Sequence, residues 1–163
     1  MNKSRYCSFY VSDVHLITML LPYINEKMKE GKEFITIFET DISESAKKVI
    51  KSVSLKRKEE QAFIDIGWKN KIDLKELSKI NLKDKFVLVM GSNSFIEDVN
   101  KKMHKLDSFF TIINCFEVFQ AEKIIDDIIE THEKLINSRG ENEINKIFTQ
   151  CTKKSNKKIT IIE

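Results

Sequence analysis

The chain has 163 residues, with 28 Lys and Arg against 25 Asp and Glu and a hydrophobic fraction of 41%. This length predicts one domain, residues 1–163, whose core is large enough to need no disulfide or structural metal. The three cysteines are an odd number at spacings that suit neither a disulfide framework nor a zinc site. We therefore expect reduced thiols and a cytoplasmic location. We also expect no cofactor.

The charge pattern and the hydropathy pattern argue against two classes of partner. Acidic and basic residues are interleaved, and the basic cluster at residues 153–158 has no aromatic residues within it, so we expect no nucleic-acid binding. The longest apolar segment, residues 16–24, is too short to span a bilayer. The N-terminus carries no cleavable signal pattern. We expect no membrane association.

The first third of the chain predicts a strand, a helix and a second strand. Residues 7–11 and residues 34–38 are short apolar runs, and the segment between them has helical periodicity. Ser12 or Asp13 should cap this helix, and Gly31 should end it in a left-handed conformation. This is the length of one βαβ unit.

The middle of the chain has weaker patterns. Asp41 or Ser43 is predicted to open a second helix, and the apolar run at residues 63–68 predicts a third strand. Asp73 and Glu76 have the spacing of a capping box, which predicts a short helix up to residue 80.

The second half alternates strands and helices again. Residues 86–90 and 109–115 are predicted strands, and the capping-box spacing of Ser94 and Glu97 predicts a helix between them. Apolar residues from 121 to 136 predict one long helix that Gly140 ends.

The C-terminal residues, 141–163, are predicted as a short helix followed by an edge strand or a tail. The apolar residues from 144 to 151 support the helix, and residues 159–162 are a second apolar run. This last run could pair with the sheet edge or fold onto a partner.

Alternating strands and helices predict a three-layer α/β fold, Rossmann-like or RecA-like, without a Walker A loop. It has a mostly parallel sheet of about five strands and helices on both faces. Ligands of such sheets bind beyond the carboxyl ends of the strands. The candidate ligand-binding residues at those ends are Tyr10, Ser12, His15, Gly91, Ser92, Asn93, Cys115 and Glu117.

Common nucleotide motifs are missing from the sequence. The pair Gly31-Lys32 lacks the rest of a Walker A motif, and the four glycines cannot form a G-x-G-x-x-G turn. Residues 91–94 could still present backbone N–H groups to an anion at a helix start. An ordinary βα loop is the favoured interpretation.

The chain also offers no catalytic or metal constellation. Cys115 and His132 would lie far apart if one helix joined them, and His132 lies on an apolar stripe, where a hydrogen-bonded core histidine is expected. His15, in the first turn of its helix, is either a pocket residue or a surface residue. The acidic residues near strand ends do not have the spacing of a cation loop, so we predict no metal site.

Two blocks of sequence resemble the MEDS domain, the sensory domain named from methanogens, methylotrophs and the DcmR regulator. The first block comprises residues 7–12, 20–24 and 30–32: a strand with Cys and Tyr, a Pro-aromatic pair and a Gly-Lys turn. The second comprises residues 115–122, a Cys-aromatic-acidic strand end, and a closing Thr131-His132. Together they cover about half of the chain.

The resemblance implies a Rossmann-like or RecA-like sensor without phosphate-loop catalysis. The family commonly has proline after the closing histidine, and Glu133 follows here. We therefore expect a non-catalytic sensory or regulatory domain that binds a small ligand or signals through a protein partner, a kinase or a transcription regulator. The alternatives are a nucleotide-binding enzyme that uses residues 91–94, and a pocketless protein-interaction module.

Overall fold

The computed structural model describes residues 3–70 and 72–148. The strands in this part are β1 (Ser4–Tyr10), β2 (Phe34–Phe38), β3 (Phe86–Met90), β4 (Thr111–Glu117), β5 (Lys134–Asn137) and β6 (Gly140–Glu143). The α-helices are α1 (Asp13–Lys29), α2 (Ser43–Ser52), α3 (Arg57–Asp65), α4 (Asn93–His104), α5 (Val118–Ala121), α6 (Ile125–Thr131) and α7 (Ile144–Phe148). Short 3-10 helices occupy Leu74–Lys79 and Glu122–Ile124.

The strands form one six-stranded sheet in the order β2-β3-β4-β1-β5-β6. β1 to β5 run parallel, and β6 pairs antiparallel with β5 through a hairpin. The predicted mostly parallel α/β sheet is confirmed. Strand β1 lies between β4 and β5, so the loop that follows β1 lies near the middle of the carboxyl edge.

Helices cover both faces of the sheet, as the three-layer prediction requires. One face packs against α1, α2 and α3, and the other packs against α4, α6, α7 and the 3-10 helix at Leu74–Lys79. β4 shows how side chains alternate between the two cores: Ile112 and Phe116 lie on the α4 side, and Ile113 and Cys115 lie on the α1 side.

Helix α1 has the ends that the sequence predicts. The Ser12 hydroxyl accepts a hydrogen bond from the backbone N–H of His15 at 3.1 Å, which makes Ser12 the N-cap. Gly31 has φ +84°, the left-handed conformation that a glycine adopts without strain. Val14, in the first turn of α1, does not join the buried face of the helix, because 54% of its surface is exposed.

The prediction of a strand at residues 63–68 is wrong. Residues up to Asp65 form helix α3, and Phe63 and Ile66, three residues apart, are buried against the α1 side of the sheet. A short apolar run fits a strand and a helical turn equally well, and here the charged helix formers before Phe63 extend the helix into it. Trp68 follows in a turn with φ +55° and is buried beside Phe38.

The prediction of one helix from 121 to 136 is also wrong. α5, a 3-10 turn and α6 end at Thr131, and residues 134–137 form strand β5. β5 pairs with β1 through Tyr6–Lys134 and Cys7–Leu135. Because β1 would otherwise leave one row of backbone groups unpaired inside the protein, sheet pairing outweighs the helical periodicity.

Two further predictions concern the C-terminal part. Gly140 does not end a helix; it begins β6 after the hairpin turn, with φ +99°. The short helix predicted from residue 144 is confirmed as α7 as far as Phe148. The rest of that segment, including Cys151 and residues 159–162, lies outside the described residues.

Within residues 3–70 and 72–148, none of the helices combines the length and the apolarity that crossing a bilayer requires.

A tyrosine–glutamate hydrogen bond attaches the β5–β6 hairpin to α1. The Tyr23 hydroxyl donates to Glu141 Oε1 at 2.7 Å, and the Lys134 ammonium donates to Glu141 Oε2 at 2.9 Å. Burial raises the pKa of Glu141, but the hydrogen bonds from Tyr23 and Lys134 outweigh it, and the pKa lies below its ordinary 4.5. The contribution to stability is therefore present above pH 4.5 and is lost as the pH falls through the folded-state pKa.

We predict that Tyr23→Phe lowers the free energy of unfolding by about 1 kcal/mol at pH 7, because the carboxylate loses a partly buried donor. Urea denaturation of both proteins at pH 7 and pH 3 measures this, and the difference should shrink at pH 3. Glu76→Gln, in the exposed pair with Lys79, is the control and should change stability by less than about 0.5 kcal/mol. Equal stability of wild type and Tyr23→Phe at pH 7 would contradict the role of this bond.

Candidate functional site

Strand pairing brings several predicted ligand residues to one edge of the sheet. Tyr10 and Glu117 are register partners at the ends of β1 and β4, and Met90 pairs with Cys115 at the ends of β3 and β4. Tyr10 and Cys115 are buried on the α1 side. Burial raises the pKa of the Cys115 thiol to about 12, so it is protonated and shielded at neutral pH.

The turn at residues 91–94 is occupied by the protein's own carboxylate. Glu39, just after β2, accepts hydrogen bonds from the Ser92 backbone N–H at 3.1 Å and from the Ser92 hydroxyl at 3.3 Å. A Cβ atom placed on Gly91 would lie 2.6 Å from Phe95 and 2.8 Å from Glu39. An anionic ligand at this helix start would have to displace Glu39.

Two neighbouring contacts complete this closed turn. The Ser92 hydroxyl accepts from the Phe95 backbone N–H, so Ser92 caps α4 in place of the predicted Ser94. The Asn93 side chain donates to the Gln120 backbone carbonyl at 2.8 Å, and the Asn93 backbone N–H donates to the Gln120 side chain. These bonds fix the start of α4 against α5.

His15 completes the turn between β1 and α1. Its Nδ1 accepts a hydrogen bond from the Val11 backbone N–H at 3.2 Å, which places the ring proton on Nε2. His15 is half-buried, and Ser12 is exposed. In this structure both residues shape the βα turn.

An opening lies on the face of the sheet opposite α1, between α4 and α6 and over β4. This α4–α6 groove has a volume of about 390 Å³. Apolar walls are formed by Ile96, Phe116, Ile124 and Ile128, and Asn93 also lines the groove. Mostly apolar walls with a few placed polar groups are typical of small-molecule sites.

The polar groups under the groove form a hydrogen-bonded set, the Asn–His network, made of Asn100, Asn114 and His132. Asn100 and Asn114 exchange hydrogen bonds through their amides at 2.8 and 3.0 Å. Asn114 Nδ2 lies 2.9 Å from His132 Nε2. All three residues are buried, so each polar atom needs its partner inside the protein.

The partners of His132 determine its tautomer. Asn114 Nδ2 can only donate, so His132 Nε2 accepts and the ring proton is on Nδ1. Nδ1 lies 2.9 Å from the Ile128 carbonyl and 3.0 Å from the Thr131 hydroxyl. That hydroxyl donates its own hydrogen to the Asp127 carbonyl, so it can accept from Nδ1–H.

Burial lowers the pKa of His132 to about 4, although the hydrogen bond to the Ile128 carbonyl raises it. The ring is therefore neutral at physiological pH. The prediction that His132 is a hydrogen-bonded core residue is confirmed. His132 and Cys115 are separated, but not by the predicted long helix. His132 bonds to Asn114, and Asn114 and Cys115 point to opposite faces of β4.

A second opening adjoins the groove at the amino ends of β1 and β4. This amino-edge cavity has a volume of about 650 Å³ and shares Arg5 and Thr131 with the α4–α6 groove. The Lys3 ammonium donates to the carbonyls of Met103 and His104 at the end of α4. Lys3 therefore offsets the negative end of that helix and is already engaged.

The sequence did not identify the groove. Asn114 interrupts an apolar strand, and that was an available signal, because a polar side chain in a buried strand needs a partner. Nothing in the sequence shows that Asn100 and His132 are those partners. Among the described residues, no group of three or more His, Cys, Asp or Glu side chains could hold a metal ion.

No family model and no curated protein matches this chain. The resemblance to the MEDS domain therefore depends on the two sequence blocks alone and stays a prediction.

The Asn–His network gives a test by double substitution. Asn114→Leu leaves the Asn100 side-chain oxygen, one Asn100 amide hydrogen and His132 Nε2 without their partner, so we expect a loss of about 2–4 kcal/mol in the free energy of unfolding. Asn100→Leu should cost about 1–3 kcal/mol for the same reason.

The double variant should be less destabilised than the sum of the two single losses, because the second substitution removes a group that the first left unpaired. Chemical denaturation of the four proteins measures the coupling. Additive losses would show that the two amides do not interact in solution.

Proposed function

We propose that this protein is a non-catalytic sensory or regulatory domain that binds a small molecule in the α4–α6 groove. The observation that carries the proposal is the groove itself, about 390 Å³ with apolar walls above the buried Asn–His network. A network whose polar atoms satisfy one another is rigid, and a rigid floor under apolar walls favours selective binding of a preformed ligand shape.

The chemistry of the described residues supports binding more than catalysis. Burial raises the pKa values of both described cysteines, Cys7 and Cys115, so neither thiol is a ready nucleophile. His132 is neutral, but its two ring nitrogens are engaged within the protein. Within the described part of the chain, the groove therefore offers shape and hydrogen-bond acceptors, and no activated nucleophile lies beside it.

The resemblance to a sensory domain agrees with this location. Phe116, Thr131 and His132 belong to the second block that resembles the MEDS family, and all three line the groove. Of the eight residues predicted at the carboxyl edge, Asn93 also lines it. The other seven stay candidates for a role at the carboxyl edge. In this structure the polar groups at that edge bond to one another, as Ser92 does to Glu39.

A specific observation favours a protein partner as well. Val11, Val14 and Phe119 are 52%, 54% and 71% exposed, and they follow the neighbouring strands β1 and β4. Large apolar side chains clustered at one edge often mark a contact surface. α5, which carries Phe119, is joined to α6 by the 3-10 helix at Glu122–Ile124, so a ligand that shifts α6 would move this surface. A kinase or a transcription regulator fits the proposed role.

The nucleotide-binding alternative has weaker support. Its turn at residues 91–94 already holds the Glu39 carboxylate, and Gly91 is tightly packed. Displacing one anion with another gains little unless the ligand brings further contacts. Calorimetry with ATP and GTP should therefore detect no binding, and binding with turnover would support the enzyme instead.

A groove-filling variant tests the proposal. We predict that Ile124→Trp abolishes or weakens at least tenfold the binding of ligands found in a small-molecule screen by NMR, because the indole would occupy the groove. Ile124 is half-buried, so the fold should tolerate the larger side chain.

The matched control is Ile64→Trp, a half-buried isoleucine that lines a separate cavity of about 260 Å³ between α2 and α3. It should leave binding unchanged. If both variants bind every ligand as the wild type does, or if the screen finds no ligand, the groove is not a binding site and the proposal fails.

A further inference from the structure

The hydrogen bonds already made by the Asn–His network determine which ligand groups the floor of the groove can bind. Both amide hydrogens of Asn100 are used, by the Ile96 carbonyl and by Asn114. Both amide hydrogens of Asn114 are used, by Asn100 and by His132. The His132 Nδ1–H is bonded to the Ile128 carbonyl. The floor therefore has no hydrogen left to donate.

The same floor can still accept hydrogen bonds. An amide oxygen has two lone pairs, and the side-chain oxygens of Asn100 and Asn114 each accept one bond in the network. One lone pair remains on each oxygen. A ligand that complements this floor must bring a donor, and an ammonium is a strong one.

One cation at the groove is available for an anion. Arg5 is half-buried and lines both the α4–α6 groove and the amino-edge cavity. Among residues 3–70 and 72–148, no carboxylate forms an ion pair with its guanidinium, including Glu133 in the neighbouring cavity. Arginine binds carboxylates through two parallel hydrogen bonds.

The remaining charges of the groove lie on α4 and α6. Lys101 and Glu97 form an ion pair at 2.9 Å and neutralise each other. Asp127 on α6 forms no ion pair within the described part of the chain. Thr131 lines the groove together with Arg5. Asp127 lies one helical turn before Thr131, roughly 6 Å away along the helix axis.

We infer that the α4–α6 groove binds a small amino-acid-like zwitterion with an apolar side chain. This inference depends on the proposed function. The ligand carboxylate binds Arg5, and its ammonium donates to the oxygens of the Asn–His network and faces Asp127. The apolar side chain packs between Ile96 and Ile128. Because the floor is neutral and only accepts hydrogen bonds, it favours the ammonium and cannot hold the carboxylate.

Three probes of the same shape test each part of this ligand. L-leucine carries both charged groups, 4-methylpentanoate lacks the ammonium, and 3-methylbutylamine lacks the carboxylate. Calorimetry should show that L-leucine binds at least about tenfold more tightly than either analogue, since each loses one charge-assisted contact.

Two variants test which protein side chain binds which charged group of the ligand. Arg5→Gln should weaken binding of L-leucine and 4-methylpentanoate by roughly tenfold and leave 3-methylbutylamine unchanged. Asp127→Asn should weaken L-leucine and 3-methylbutylamine and leave 4-methylpentanoate unchanged. The matched controls are Lys102→Gln and Asp98→Asn, which remove one charge each from an exposed pair on α4 and should leave all three affinities unchanged. Circular dichroism confirms that every variant folds.

The outcomes separate this inference from the proposed function. If an analogue binds as tightly as L-leucine, and Ile124→Trp abolishes that binding, the groove is a ligand site but the zwitterion is wrong. If none of the three probes binds, the zwitterion is also wrong, and the broader screen with Ile124→Trp decides whether the groove binds anything. Equal effects of Arg5→Gln and Lys102→Gln would overturn the role of Arg5.

Discussion

The groove depends on a hydrogen-bonding constraint inside β4. Asn114 stands in a buried strand, where each of its polar atoms needs a partner. It obtains these partners from Asn100 on α4 and from His132 just after α6. The two helices are thus tied to one residue of the sheet, and the space that they leave above it is the groove.

The same constraint fixes the electrostatics of the site. His132 accepts from Asn114 and is buried, and burial lowers its pKa to about 4 against an ordinary 6.5. Between these values the unfolded chain binds a proton that the folded protein does not, so His132 makes stability rise with pH across this window. At neutral pH the floor is uncharged. The charges of the groove that form no ion pair among residues 3–70 and 72–148 are those of Arg5 and Asp127.

Much of the fold could be predicted from the sequence. β3 is an uninterrupted apolar run, and β2 is an apolar run interrupted only by Thr36. α1 has two candidate N-caps, Ser12 and Asp13, at its start and a glycine after its end, so local patterns are enough to place these elements. The errors have one physical origin. At residues 63–68 and 134–137 the apolar pattern fits both a helix and a strand, and the choice depends on pairing and packing with distant residues. Strand β1, far away in the sequence, decides the second case.

The site was less predictable than the fold. Parallel strands did bring Tyr10, Glu117 and Cys115 to one edge, as expected. The sequence could not show that Glu39 would fill the turn at Ser92, since 53 residues separate the two positions. It could not show the Asn–His network either, because Asn100, Asn114 and His132 become neighbours only when α4 and α6 pack on the same face.

The most direct test of the central claim is to observe the ring nitrogens of His132 by NMR. Long-range nitrogen–proton spectra between pH 8 and pH 5.5 distinguish the two tautomers and the protonated ring. We expect a neutral ring with the proton on Nδ1 throughout this range. A proton on Nε2, or a titration with a midpoint near the ordinary 6.5, would contradict the network on which the groove and its proposed ligand depend.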